Sequence, residues 1–242
     1  MSNYVILTAG GVGSRMHLDI PKQFLCVNNK PIIVYTMERF QNHPDIDGIC
    51  VVCLKDWKDT LASYAKQFGI TKLKWIANGG SCGQESIESG VRTLARDINQ
   101  DDIVIISDGN RPFVSNDIIS DAIITCKAHG SAVSHTPSFE AMYVKMDDVP
   151  EISSDKSLYS DTLLDRSKLI KAQTPNAFPL GKLIWAYDEA KKRGITDSVA
   201  SCTLMTALGE KVYFSLGSAL NFKITTPEDL ALFKAMLDTG IY

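Results

Sequence analysis

Residues 5–24 read VILTAGGVGSRMHLDIPKQF, and the fold turns on how this stretch is parsed. Val5, Ile6 and Leu7 make a short apolar run suited to a buried strand, which empties into a loop carrying Gly10, Gly11 and Gly13. Glycines let a backbone approach a ligand closely, and successive N–H groups in such a turn form a cradle for anions, above all phosphate. Arg15 and Lys22 flank the cradle with two positive charges, and Pro21 stiffens the chain just before the lysine. Strand, glycine loop and cations together read as a nucleoside triphosphate site.

Spacing rejects two other glycine-rich readings. A dinucleotide fingerprint would need a third glycine where Met16 stands, and a P-loop would need a G-K-S/T that is absent. The stretch resembles instead the signature G-x-G-x-R, five residues, then P-K-Q, of the cytidylyltransferases that activate ribitol phosphate or methylerythritol phosphate. Gly11, Gly13, Arg15, Pro21, Lys22 and Gln23 match it in register. The larger sugar-nucleotide pyrophosphorylases are similar but place the P-K further from the arginine.

A chain of 242 residues with net charge −3 can bury a full core as one α/β domain spanning 1–242. It has no apolar run near the ~20 residues that span a bilayer, and Met1 leads straight into a strand without a signal peptide. The expectation is a cytoplasmic protein that engages neither membrane nor nucleic acid, since no basic cluster offers a phosphate-backbone surface. Cys50 and Cys53 form a C-x-x-C inside an apolar run. Residues three apart on a strand face opposite ways, so they read as buried free thiols rather than as a metal or redox pair.

Strands and helices then alternate. Helices are expected over 31–41, 57–68, 85–98 and 116–128, and strands over 48–54, 73–77, 103–107 and 131–135. The pattern predicts a doubly wound, mostly parallel, Rossmann-like sheet covered on both faces, with ligands beyond the carboxyl ends of its strands. Two further motifs fall there. In Gly79-Gly80-Ser81-Cys82-Gly83-Gln84-Glu85-Ser86-Ile87, four residues match the family's G-G-x-x-R then S-V or S-I, while Gly83 stands where the family has arginine. Read alone, Ser86 serves equally as a helix cap. In Ser107-Asp108-Gly109-Asn110-Arg111-Pro112-Phe113, Asp108 and Arg111 match H-D-A-A-R-P-F, and the remaining departures are expected to retune the substrate side. An aspartate at a strand end can hold Mg²⁺ or sugar hydroxyls, and an arginine can grip a phosphate; an Asp-Gly turn is the plainer alternative.

Between 138 and 172 the alternation fades into a charged stretch where 142–146 and 169–172 can pair as strands. It reads either as a solvated loop or, by the resemblance, as a β-arm embracing a second subunit, with Arg166 reaching the partner's site. Gln173-Thr174-Pro175 matches the family's Q-T-P, whereas Glu140-Ala141 replace its D-T. Helices follow over 180–192 and 197–208, and a strand over 212–215. Alternation over 221–225 sets Lys223 opposite Phe222 and Ile224, and Thr226, Pro227 and Asp229 open a last helix. The resembling motif is I-K-V-T-x-P-E-D-L.

The resemblance covers almost the whole chain and implies a Mg²⁺-dependent cytidylyl transfer from CTP to a polyol phosphate by a homodimer. It assigns catalysis to Arg15, Lys22 and Lys223, and nucleotide binding to Ala9, Gly10, Gly11, Gly13, Gly79, Gly80, Ser86 and Asp108. The acceptor falls to Asp108, Arg111, Thr174 and the partner's Arg166, and the metal to Asp108. The K-Q-F-L and K-P-I-I wording, at Lys22 and Lys30, resembles the ribitol enzymes most. Methylerythritol phosphate, another alditol or sugar phosphate, and a non-catalytic nucleotide-binding subunit are the alternatives.

Overall fold

The computed structural model describes residues 1–11, 20–145 and 159–240. Its centre is a seven-stranded sheet: β1 Asn3–Ala9, β2 Gly48–Cys53, β3 Leu73–Asn78, β4 Ile103–Asp108, β5 Ala132–Pro137, β6 Ile170–Pro179 and β7 Phe214–Leu216. Their order across the sheet is β7-β5-β6-β4-β1-β2-β3. β1 pairs in parallel with β2 on one side and β4 on the other, so the order reverses at the gap between Ala9 and Asp108. Such a switch point opens a crevice at the carboxyl ends of the strands.

β6 runs antiparallel to both β4 and β5, with Asn176 opposite Ile106. Its amino end therefore arrives where β4 ends, bringing Thr174 to Asp108. This strand is why the sheet is mostly, rather than wholly, parallel.

Among the described residues seven helices surround the sheet: α1 Ile32–Asn42, α2 Lys58–Gln67, α3 Gly83–Leu94, α4 Asn116–His129, α5 Leu180–Arg193, α6 Ser201–Ala207 and α7 Pro227–Asp238. Their boundaries follow local chemistry. Ser115 Oγ accepts from Ile118 N to start α4, Gly130 and Gly194 end α4 and α5 in the left-handed region, and Thr226 and Asp229 close a capping box on α7. One sheet face packs Val5, Leu7, Val51 and Ile105 against Met37, Phe40 and Ile119. The other packs Ile6, Val52, Val104 and Ile106 against Val91, Leu183 and Met205. Cys53 lies in the first cluster and Cys50 in the second, both free, and burial pushes their thiols up to about 11 and about 12. A third cluster of Tyr35, Phe113, Ile224 and Phe233 fastens α7 to α1.

Three expectations need correction. Residues 142–143 pair with 163–164, not with 169–172, of which 170–172 join β5 in the main sheet at the base of the arm. No strand forms over 221–225; Ile224 N instead donates to Asn110 O at 3.0 Å. The helix expected over 197–208 begins only at Ser201, because the Thr203 hydroxyl takes the Ala200 N–H at 3.0 Å and Gln84 takes Ser198 N at 2.8 Å. Among the described residues no helix is long and apolar enough to cross a membrane.

Candidate active site

A cleft of about 610 Å³ opens at the switch point, lined by both glycine loops, the ends of β4 and β6, and the approach to α7. Its first wall is the loop after β1. Ala9, Gly10 and Gly11 line it, and the loop is held from behind by Gln23, whose buried amide donates to Ala9 O at 2.5 Å and Gly11 O at 3.1 Å. Gln23 sits in a short 3-10 turn, Lys22–Phe24, which also puts Lys22 on the cleft. The P-K-Q triplet thus supplies a stiff entry, a cation and a brace for the glycine cradle. Gly13 and Arg15 lie outside the described residues.

The second wall is the turn between β3 and α3. Ser86 caps nothing; its buried Oγ accepts from Gly80 N at 3.0 Å and donates to Cys82 O at 2.9 Å, bracing the turn from within. Glu85 accepts from Ser81 N and Oγ at 2.7 and 2.6 Å, and those bonds hold its carboxyl below the usual range. Gly80, Gly83 and Ser86 line the cleft, whereas Gly79 lies behind it, its N–H donating to Cys53 O.

The floor is organised by Asp108. Lys223 Nζ reaches Oδ1 at 2.6 Å, while Arg111 Nε at 2.9 Å and Thr174 Oγ1 at 3.0 Å both reach Oδ2. Burial alone would raise this carboxyl, but the ammonium of Lys223 and the guanidinium of Arg111 override it and hold it down at about 2. Arg111 also donates to Asn221 O at 2.6 Å, and Asn221 Nδ2 donates to Thr174 O at 2.8 Å. Gly109 is required by crowding, since a Cβ there would stand 2.5 Å from Ile33 Cδ1 and 3.0 Å from Thr8 O. Asn110, expected to act toward substrate, spends its amide on Ile224 O.

Both Asp108 oxygens are engaged by protein donors, two of them cationic, with Oδ2 accepting twice and Oδ1 once. Among the described residues no group of three His, Cys, Asp or Glu side chains gathers to hold a metal ion. The described residues therefore build no all-protein cage for Mg²⁺, and Asp108 is the one carboxylate the cleft lining offers it. Arg166 stands apart from the cleft, exposed in a turn at the base of the arm, where its Nη1 donates to Phe139 O at 2.7 Å.

Sequence reasoning missed Gln84. Its 8% exposed side chain donates to Ile195 O at 2.7 Å and accepts from Ser198 N, joining the second glycine loop to the segment that brings Val199 and Ala200 to the cleft. No local pattern marks it, because its partners are more than 100 residues away.

An anionic chain laid in this cleft meets Lys22 beside the glycine cradle and Lys223 at the floor, a construction that belongs to nucleotidyltransferases. The chain is a member of the IspD family, described as 2-C-methyl-D-erythritol 4-phosphate cytidylyltransferase, which matches residues 3–239. It is 44% identical to a ribitol-5-phosphate cytidylyltransferase of Lacticaseibacillus paracasei, over 96% of each chain. It is 34% identical to a 2-C-methyl-D-erythritol 4-phosphate cytidylyltransferase of Clostridium botulinum, over 98% of this chain and 97% of the other. Its fold is similar to the crystal structure of 4-diphosphocytidyl-2C-methyl-D-erythritol synthase from Anaerococcus prevotii, with TM-score 0.79 at 22% identity, covering 98% and 96% of the two chains.

Proposed function

We propose that the protein transfers a cytidylyl group from CTP to D-ribitol 5-phosphate, giving CDP-ribitol and pyrophosphate. A phosphate oxygen of the acceptor attacks the α-phosphorus; the new P–O bond forms as the bond to the bridging oxygen breaks, and pyrophosphate carries that electron pair away. The acceptor is already a nucleophile, so the protein's work is to hold two anions in line and neutralise charge on the bridging and leaving oxygens. Arg15 and the Gly11–Gly13 backbone take the β- and γ-phosphates, and Lys22 and Lys223 the α-phosphate. Gly80 and Ser86 shape the nucleotide wall, while Asp108, Arg111 and Thr174 face the acceptor.

The observation that carries the assignment is the cleft itself, which gathers Lys22, Lys223, Asp108 and both glycine loops. Full-length identity of 44% to a ribitol-5-phosphate enzyme, against 34% to a methylerythritol phosphate enzyme, supports ribitol as acceptor. Asp108 is the residue that would face a Mg²⁺ ion accompanying the triphosphate, and such an ion would need no protein cage. Bound there it would supply charge neutralisation; the steps above belong to the protein's own groups. The protein works in the cytoplasm as a homodimer in which the arm carries Arg166 to the partner's acceptor. The exposed Phe139, Met142, Tyr143 and Leu163 on that arm support an interface.

The test is pyrophosphate release with CTP and Mg²⁺ against ribitol 5-phosphate, methylerythritol phosphate, and arabinitol, mannitol and glycerol phosphates. Ribitol 5-phosphate should give the highest kcat/KM, and Lys22→Ala should lower turnover roughly 100-fold. A higher value with methylerythritol phosphate overturns the acceptor; silence across the panel with CTP binding intact overturns the reaction in favour of a binding subunit.

A further inference from the structure

Among the described residues of the cleft floor, Arg111 and Lys223 both stand outside regular elements, and Lys223 is the more exposed of the two. It lies in a segment without a ladder, and its side chain is 40% exposed, so its position depends on how the flanking residues are tied. On the amino side, Asn221 is tied by Arg111 and by Thr174 O. On the carboxyl side Thr225 Oγ1, itself held by Asp229, donates to Lys223 O at 3.1 Å, and Ile224 between them is held by Asn110. Its carbonyl accepts from Ile224 N at 3.0 Å, and its side-chain Nδ2 donates to Ile224 O. Ile224 is wholly buried, so without that amide its carbonyl would lose its side-chain partner in a place water does not reach. Asn110 is itself only 4% exposed, two residues past Asp108, to which Lys223 is paired.

We propose that Asn110 is a positioning residue for Lys223: its carboxamide stands in for the missing strand ladder at Ile224 and helps fix the lysine stem so that the ammonium meets the α-phosphate. This rests on the role given to Lys223 under the proposed function. The substrate-side departure at position 110 is thereby a scaffold device, acting on the reaction through the lysine and not by touching the acceptor. A lysine stem is long and rotamer-rich, and displacement of a charge by about 1 Å at a reacting centre costs on the order of 100-fold in rate.

The test is a double-mutant cycle of Asn110→Ala and Lys223→Ala, read as kcat and KM with CTP, Mg²⁺ and ribitol 5-phosphate. Asn110→Ala should lower kcat by roughly 10- to 100-fold with the acceptor KM changed less than about threefold. Lys223→Ala should lower kcat roughly 100-fold, and the double variant should be no slower than Lys223→Ala alone. Full additivity overturns the proposal while leaving the role of Lys223 intact, and so does wild-type kcat in Asn110→Ala. Wild-type kcat in Lys223→Ala overturns the role of Lys223 and the proposal with it. Asn110→Asp keeps the side-chain shape and removes the donor, and it carries the same cycle if the alanine variant does not fold.

Discussion

Asp108→Asn should separate the charge of the cleft floor from its shape. Asparagine is nearly isosteric and its one oxygen can still accept from Arg111 and Thr174, while its NH2 takes the place of Oδ1, so the substitution removes the negative charge and the Lys223 bond together. Asp108 and Arg111 are 14% and 12% exposed, which leaves little solvent screening between them; Lys223, at 40%, is discounted accordingly. Holding the carboxyl at about 2 instead of 3.8 corresponds to roughly 2 kcal/mol of stability at neutral pH. The folded value is the depressed one, so this contribution is complete above the unfolded value and is lost as pH falls through the folded one. About half of it should remain at pH 3 and little at pH 2. In a chain of this size roughly 2 kcal/mol moves the melting temperature by about 4–8 °C. The assay is urea unfolding of both proteins at pH 7, 5 and 3, with the m-value checked for constancy. Asp108→Asn should be less stable by about the same amount at pH 7 and 5, with the gap narrowing at pH 3. Equal stability at pH 7, or a gap unchanged at pH 3, would refute the charge-bridge account of the floor.

Two glycines three apart in the second loop should answer in opposite directions. At Gly80 a Cβ would stand 2.3 Å from Glu85 Cβ and 2.9 Å from Glu85 C, so Gly80→Ala must distort the turn and should raise KM for CTP at least about tenfold; an unchanged KM sinks that role. Nothing lies within 4 Å of a Cβ at Gly83, which begins α3, so Gly83→Ala should stabilise by about 0.4–1 kcal/mol, seen as a higher melting temperature. Gln84→Leu leaves Ile195 O and Ser198 N without their partner and should cost about 1–3 kcal/mol. Hydrogen exchange at the Ser198 amide should quicken in that variant, and an unaltered rate would show that Gln84 does not hold the wall.

Much of the frame is legible from short-range chemistry. The apolar run of β1, the fully buried β2 and the run of β4 announce strands covered on both faces, and Thr226, Pro227 and Asp229 announce the start of α7. The glycine spacing with Lys22, and the strand-end position of Asp108, point to one cleft because a doubly wound sheet brings its strand ends together. These signals are local: periodicity records which side of a segment is buried, and turn and cap residues record their own backbone geometry.

What the sequence could not specify is the choice of distant partner. Burial alone does not say that β6 inserts antiparallel between β4 and β5, or that 142–143 pair with 163–164, because several strands of similar character compete for each edge. Nor does alternation over 221–225 distinguish a strand from a segment clamped by side chains, since both bury Ile224 and expose Lys223. The sequence by itself determined the class of sheet, the two glycine-rich turns and, in Lys22, Asp108 and Lys223, residues that line one cleft. Only the tertiary structure decided that Asp108 is engaged by Lys223 and Thr174, and that Gln84 and Asn110 serve the walls, because hydrogen bonds across 66 to 115 residues depend on how the chain is folded back and leave no trace in local spacing.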